Sequence, residues 1–247
     1  MKTLDRFVIT DWFMHLQDRI CQAIEKTDGK GVFEEELWQR PGGGGGRTRI
    51  IQNANIIEKG GVNFSQVHGV LPEKIAQQLQ VKGHDFFATG VSIVMHPFSP
   101  LVPIIHMNVR YFEVSSGEQW FGGGIDLTPI YVDPAQAQYF HQQIKHTCDL
   151  HDHTYYETFK KWADDYFFIK HRNETRGVGG VFFDGTNIYI GSAKNLIVST
   201  DNGASFTSYT LTGLPAGRGI MSFAGAKSGA TTRFFIVSYD LVDIYPG

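Results

Sequence analysis

The sequence predicts an α+β fold: a mainly antiparallel sheet flanked by helices, followed by a short all-β tail. Three observations carry this. Strand-like segments succeed one another between residues 49 and 127 with no helical stretch between them, and helical periodicity is confined to the two ends of the first 185 residues. Near residue 185 the composition changes abruptly. A doubly wound parallel sheet would need a crossover helix between successive strands, and this order does not supply one.

Element by element, Trp12, Phe13, Leu16, Ile20, Ala23 and Ile24 recur at helical spacing before Asp28-Gly29. That pattern predicts an amphipathic helix ending near Thr27 with its apolar stripe in the core. Strands are expected near residues 49–57, 61–70, 87–95, 104–114 and 119–127. After Pro134 come two helical stretches, 135–149 and 154–170, and then a glycine-led strand over 177–184.

The break near residue 185 divides the chain into segments 1–185 and 186–247. All ten histidines and all four tryptophans precede it. Only seven charged residues follow it, in a tail of Ser, Thr and Gly interleaved with short β-branched and aromatic runs. Such a tail reads as small strands joined by tight turns.

Composition also excludes function classes. Net charge is −3 with no basic block, so there is no electrostatic footprint for nucleic acid, and a small-molecule ligand is expected. Apolar runs stay well short of the roughly 20 residues of a membrane helix, and the N-terminus lacks the basic-then-apolar order of a signal peptide. A cytoplasmic protein is the expectation. Cys21 and Cys148 are too few for a disulfide framework or a cysteine metal site, and are read as reduced thiols.

The run from Pro41 through Gly42, Gly43, Gly44, Gly45 and Gly46 to Arg47-Thr48 superficially resembles a phosphate loop. Pro41 stands where the first glycine is required and Arg47 where the lysine is, and a strand follows instead of a helix, so the nucleotide reading fails. Two readings stay open: a backbone concavity that cradles a carboxylate, and a mobile linker.

The segment His106-Met107-Asn108-Val109-Arg110-Tyr111-Phe112-Glu113 is the richest in chemistry. As a strand it puts His106, Asn108 and Arg110 on one face and Met107, Val109 and Tyr111 on the other. The first face can hold a carboxylate through the guanidinium while an imidazole moves a proton. Ser115-Ser116-Gly117 then leads into Gln119-Trp120-Phe121-Gly122-Gly123-Gly124-Ile125-Asp126. A three-residue loop with Gly117 in the left-handed region pairs Val114 with Glu118, so Arg110 faces Gly122 and His106 faces Asp126. A two-residue turn would invert the faces. The strand glycines mark either close packing or the approach of a flat ligand. Ser92, His96 and the Pro97-Phe98-Ser99-Pro100 turn precede this hairpin and can sit at its mouth. His141, His146, His151 and His153 lack the spacing of a helical zinc site.

Three long motifs in sequence carry a resemblance. They are His106 to Phe112; Trp120-Phe121-Gly122-Gly123-Gly124-Ile125-Asp126-Leu127-Thr128-Pro129; and Lys160-Lys161-Trp162-Ala163-Asp164-Asp165-Tyr166-Phe167, running into His171-Arg172-Asn173-Glu174-Thr175-Arg176-Gly177-Val178-Gly179-Gly180. With Arg40-Pro41 and its glycines, they make residues 1–184 closely similar to the oxygen-dependent coproporphyrinogen III oxidases. The resemblance implies an enzyme of haem biosynthesis. It would use dioxygen as co-substrate, and no organic cofactor, to convert two propionates of coproporphyrinogen III into vinyls, giving protoporphyrinogen IX and carbon dioxide.

On the same resemblance, His106 is the proton donor or base, Asp126 accepts from the pyrrole N–H groups, and Arg110 also belongs to the catalytic set. Ser92, Asn108, Val109 and Arg110 would contact substrate. Family descriptions also place a divalent metal on histidines matching His96, His106, His141 and His171. A homodimer is implied, although the part of the family that supplies most of its contact is not recognisable here.

Beyond Asp184 the family pattern stops. Ser199-Thr200-Asp201-Asn202-Gly203-Ala204-Ser205-Phe206 resembles instead the Asp-box turn of sialidase-like β-propeller repeats, a structural motif, with hairpin strands expected on either side. Sixty-two residues supply little more than one propeller blade. The expectation is a chimera, an oxidase domain cut within its sheet and followed by a propeller fragment, with activity impaired. The alternatives are a tail that pairs with the exposed sheet edge, an inactive remnant that binds porphyrinogen, and a carbohydrate-binding or glycosidase-like fragment.

Overall fold

The structure is a computed structural model that describes residues 5–73, 75–76, 81 and 84–183 with their side chains. Beyond these it describes the backbone of residue 184 and of five short strands in 188–240. Helix α1 (Arg6–Asp28) starts at Asp5, whose carboxylate accepts from the Phe7 N–H, and stops at Gly29, left-handed at φ 76°. Its innermost residues are Ile9, Phe13, Gln17 and Cys21, four apart along one face. Of the expected stripe, Phe13, Leu16, Ile20 and Ile24 pack in or against the core, whereas Trp12 at its margin is exposed.

The strands are β1 (Glu34–Gln39), β2 (Gly44–Gln52), β3 (Ile57–Val70), β4 (Asp85–Pro97), β5 (Ile104–Val114) and β6 (Gln119–Thr128). Next come helices α2 (Pro134–Asp149) and α3 (Tyr155–Phe167). A two-residue hairpin of β7 (Phe168–Ile169) and β8 (Glu174–Thr175) then leads to β9 (Gly180–Asp184). One seven-stranded antiparallel sheet runs β1-β2-β3-β4-β5-β6-β9. This is the α+β architecture expected.

Strand β1 escaped sequence reading because Glu34, Glu35 and Glu36 mask it; such charges suit an edge strand. The glycine run is neither cradle nor linker, since Gly44, Gly45 and Gly46 lie in β2, all three paired with β3 and the last two also with β1. Gly46 is required there because any Cβ would overlap the Trp38 ring laid across it. Helix α3 ends three residues earlier than expected: Phe168 turns extended, and the chain returns so that the Arg176 N–H donates to the Phe167 carbonyl at 3.1 Å.

Helices pack on one face of the sheet. Ile9, Phe13 and Cys21 meet Val62, Phe64, Val91, Ile93 and Tyr111, while Tyr156 and Phe159 meet Ile125, Val181 and Phe183. The register puts Val62, Ile93, Met107, Ile125 and Val181 in one cross-strand row, so the two clusters share a face. Gln17, fully buried, fastens α1 to the sheet: its amide donates to the carbonyls of Arg47 and Val62 at 2.8 and 2.7 Å and accepts from Arg47 Nε at 2.7 Å. Among the described residues no helix is long and apolar enough to cross a membrane.

In the tail, β10 (Ile188–Gly191), β11 (Asn195–Ser199) and β12 (Thr207–Thr210) form one antiparallel sheet, and β13 (Arg218–Ser228) pairs with β14 (Thr231–Asp240). The hairpin expected from Leu196 to Leu211 is thus present in its strands, while Thr200 to Phe206 lie outside the described residues. None of these five strands pairs with β9, so edge completion by the tail is not what the described strands show.

Candidate active site

The face opposite the helices carries the polar side chains. The β5–β6 hairpin closes through a three-residue loop: the Val114 N–H donates to the Glu118 carbonyl at 2.9 Å, and Gly117 has φ 103°. Arg110 therefore pairs with Gly122, Asn108 with Gly124 and His106 with Asp126, as expected. On the other side, Ser92 of β4 pairs with Asn108, and Asn63 and Thr48 continue the polar row across β3 and β2. Arg110 lies between Gly90 and Gly122 in the register.

Asp126 is the electrostatic centre. Its side chain is 8% exposed, and Oδ1 lies 2.9 Å from His106 Nδ1 and 3.0 Å from Arg176 Nη2. A buried carboxylate persists only with such partners. Because the carboxylate accepts, the neutral imidazole carries its proton on Nδ1, which leaves Nε2 as the nitrogen able to take a proton. Both donors, joined at 3.5 Å by the Thr128 hydroxyl, converge on Oδ1, so among the described residues Oδ2 is the oxygen left to meet a further donor.

Arg176 arrives from a distant part of the chain. Its guanidinium stacks over the Phe167 ring at 4.2 Å, and Tyr166 and Phe167 both pack on Phe182 with ring centroids 5.1 Å apart. The end of α3 and the β7–β8 hairpin thus reach round to the polar face. Sequence reasoning gave Arg176 no role; the signal was a buried Asp126 in want of a cation, and nothing in a 50-residue separation says which cation supplies it. Ser92, Val94, His106, Asn108, Asp126 and Phe182 line an open hollow of about 160 Å³.

Other expected residues fall elsewhere. The Val109 side chain packs into the core beneath the sheet, because strand alternation turns it away from Asn108 and Arg110. Two of the strand glycines make room for aromatic rings of β9: the Phe182 ring fills the space over Gly124, and the Phe183 ring lies against Gly123. The histidine quartet does not assemble. His96 and His106 are edge to face, 6.5 Å between centroids, but His141 is tied by both ring nitrogens and His171 is exposed between β7 and β8. Among the described residues no three His, Cys, Asp or Glu side chains are placed to hold a metal ion together. The residues present do not fit that group.

Comparison with known proteins gives one consistent answer. The family described as coproporphyrinogen III oxidase matches residues 8–212, a span that runs past the compositional break. The oxygen-dependent coproporphyrinogen-III oxidase of Prochlorococcus marinus strain NATL2A is 53% identical over 173 residues, covering 69% of this chain and 49% of that protein. The enzymes of the same name from strains AS9601 and MIT 9301 are each 50% identical, over 186 and 183 residues. These two alignments cover 73% and 72% of this chain, and 54% and 53% of the relatives. The chain spans about half the length of the curated relatives it matches.

Proposed function

The chain belongs to the coproporphyrinogen III oxidase family, and from that premise we propose that its polar face binds coproporphyrinogen III and carries out the oxygen-dependent decarboxylation of two propionates. In each turnover a propionate side chain loses carbon dioxide, one proton and two electrons and becomes a vinyl. Dioxygen takes the two electrons with two protons and leaves as hydrogen peroxide. The hollow beside Asp126 has room for one pyrrole ring rather than the macrocycle, so the remaining rings would lie across the open face.

Roles follow from the geometry. Asp126 Oδ2 accepts from pyrrole N–H groups, which raises the electron density of the ring that dioxygen attacks. His106 Nε2 takes or returns the proton. Arg110, Asn108 and Ser92 hold propionates, the first by a two-pronged guanidinium contact. Arg176 pairs with Asp126 and orients it. The protein's contribution is orientation and charge placement. No step is routed through a metal.

The observation that carries this reading is the convergence of His106 and Arg176 on one buried oxygen of Asp126, on the face that also bears Ser92, Asn108 and Arg110. A cytoplasmic location and a homodimer belong to the same proposal. Residues 186–247 we read as a separate β segment whose β11–β12 connection has the Asp-box sequence, a structural turn with no part in catalysis. Incubating the purified protein with coproporphyrinogen III in air, oxidising all porphyrinogens and separating the porphyrins tests the function. Protoporphyrin well above the buffer control supports it; coproporphyrin alone refutes it.

A further inference from the structure

Arg176 meets Asp126 from a segment that no long strand holds until Gly180. We propose that His141 positions this segment, as a hydrogen-bonded tether between α2, α3 and residues 176–180, and is not a metal ligand. The inference rests on the role assigned above to Arg176 and Asp126.

His141 Nε2 lies 2.8 Å from the Val178 carbonyl oxygen, which can only accept, so Nε2 carries the proton. Nδ1 of the neutral ring then accepts from the buried Tyr156 hydroxyl at 3.0 Å. One nitrogen has no lone pair to give and the lone pair of the other is engaged. A cation could bind only by breaking one of these bonds.

The tethered residue is well placed to matter. Gly177 and Gly179 flank Val178 at φ 62° and 72°, and glycines so placed impose little conformational preference of their own. Val178 N–H donates to the Leu127 carbonyl at 3.0 Å, and Leu127 N–H donates to the Gly179 carbonyl at 3.2 Å. This clasp and the His141 bond therefore fix a stretch that begins two residues after Arg176 and ends beside Asp126, the partner of Gly180. Releasing one side lets the guanidinium move relative to the carboxylate. An error of about 1 Å in such a position costs on the order of a hundredfold in rate.

The test uses the full chain as wild type, His141→Ala, His141→Gln and Tyr156→Phe. Glutamine places an amide N–H where the imidazole Nε2–H stood. The tether predicts a fall in kcat/KM of about tenfold or more for His141→Ala, with most of it restored in His141→Gln. The Arg176 Nε–H and Val178 amide signals should move in His141→Ala and Tyr156→Phe but not in His141→Gln. The His141 ring should show the Nε2–H tautomer in ¹⁵N spectra and no broadening when Mn²⁺ is added. Mn²⁺ broadening of that ring, or equal impairment by Ala and Gln, would overturn the proposal, as would unmoved Arg176 and Val178 signals in His141→Ala. If the wild type makes no vinyl product, the proposed function fails, while the Arg176 and Val178 signals still decide the tether.

Discussion

At Asp126 the number of donors on one oxygen sets what the residue can do. With His106 and Arg176 both on Oδ1, that oxygen is fixed in place while the second oxygen is the one that can meet a ligand. Arg176→Ala is therefore expected to lower kcat/KM by about 10² to 10³, the usual effect of removing one preorganised charge partner. Arg176→Lys should recover only part, because lysine keeps the charge but not the flat stack on Phe167; steady-state kinetics of the three proteins decide this. Asp28 makes a separate, structural case. Burial alone would push its pKa up, but N–H groups of Asn55, Ile56, Gly31 and Ile57 outweigh it and hold the carboxyl well below the usual carboxylate range. A lowered folded-state pKa gives stability that is complete above the unfolded value, about 3.9, and is lost as pH falls through the folded value. Denaturant titrations of wild type and Asp28→Asn should show a constant gap at pH 5 to 7 that narrows below about pH 4. A gap that widens in acid would contradict the assignment. The partners of Asp126 show where sequence reading stops. His106 was legible because a three-residue loop sets the hairpin register, whereas Arg176 depends on how α3 turns back at Phe168.

Among the elements, α1 is held by a polar fastening as much as by apolar contact. Gln17 uses both donors and its acceptor against β2 and β3, in the middle of the stripe formed by Ile9, Phe13 and Cys21. Gln17→Leu keeps the volume but leaves the Arg47 and Val62 carbonyls short of a donor and Arg47 short of an acceptor. A loss of about 1–3 kcal/mol is expected, some 2–4 °C in Tm per kcal/mol for a chain of this size, readable by calorimetry. An unchanged Tm would mean that apolar packing alone seats the helix. Periodicity found the helix and its packed residues Phe13, Leu16, Ile20 and Ile24, but missed Gln17 at the centre of the inner face, because a buried glutamine reads as a surface residue. The glycine run misled for a related reason: within β2 Gly46 leaves room for the Trp38 ring, a contact between strands that composition does not reveal. Strand alternation, by contrast, already placed the Val109 side chain on the core side, and the structure agrees with that geometry.

For the molecule as a whole, the division of labour is between two faces of one sheet. Helices α1 and α2 and most of α3 pack on one side, and the hairpin chemistry, Arg176 and the hollow lie on the other. Strands β3, β4 and β5 are paired on both edges and lie under α1, so their amides should exchange most slowly, with β1 at the edge exchanging faster. Hydrogen exchange read by mass spectrometry checks that order. Sequential antiparallel pairing was legible from strands following strands, and the compositional break near residue 185 coincides with the end of the seven-stranded sheet at Asp184. The sidedness was not legible, because it depends on how helices from opposite ends of the chain settle. The most direct test compares wild type with Asp126→Asn, each shown to be folded by circular dichroism, for vinyl product formed from coproporphyrinogen III in air. Product from wild type and none from the variant is the predicted result; equal product from both would contradict the central role of that carboxylate.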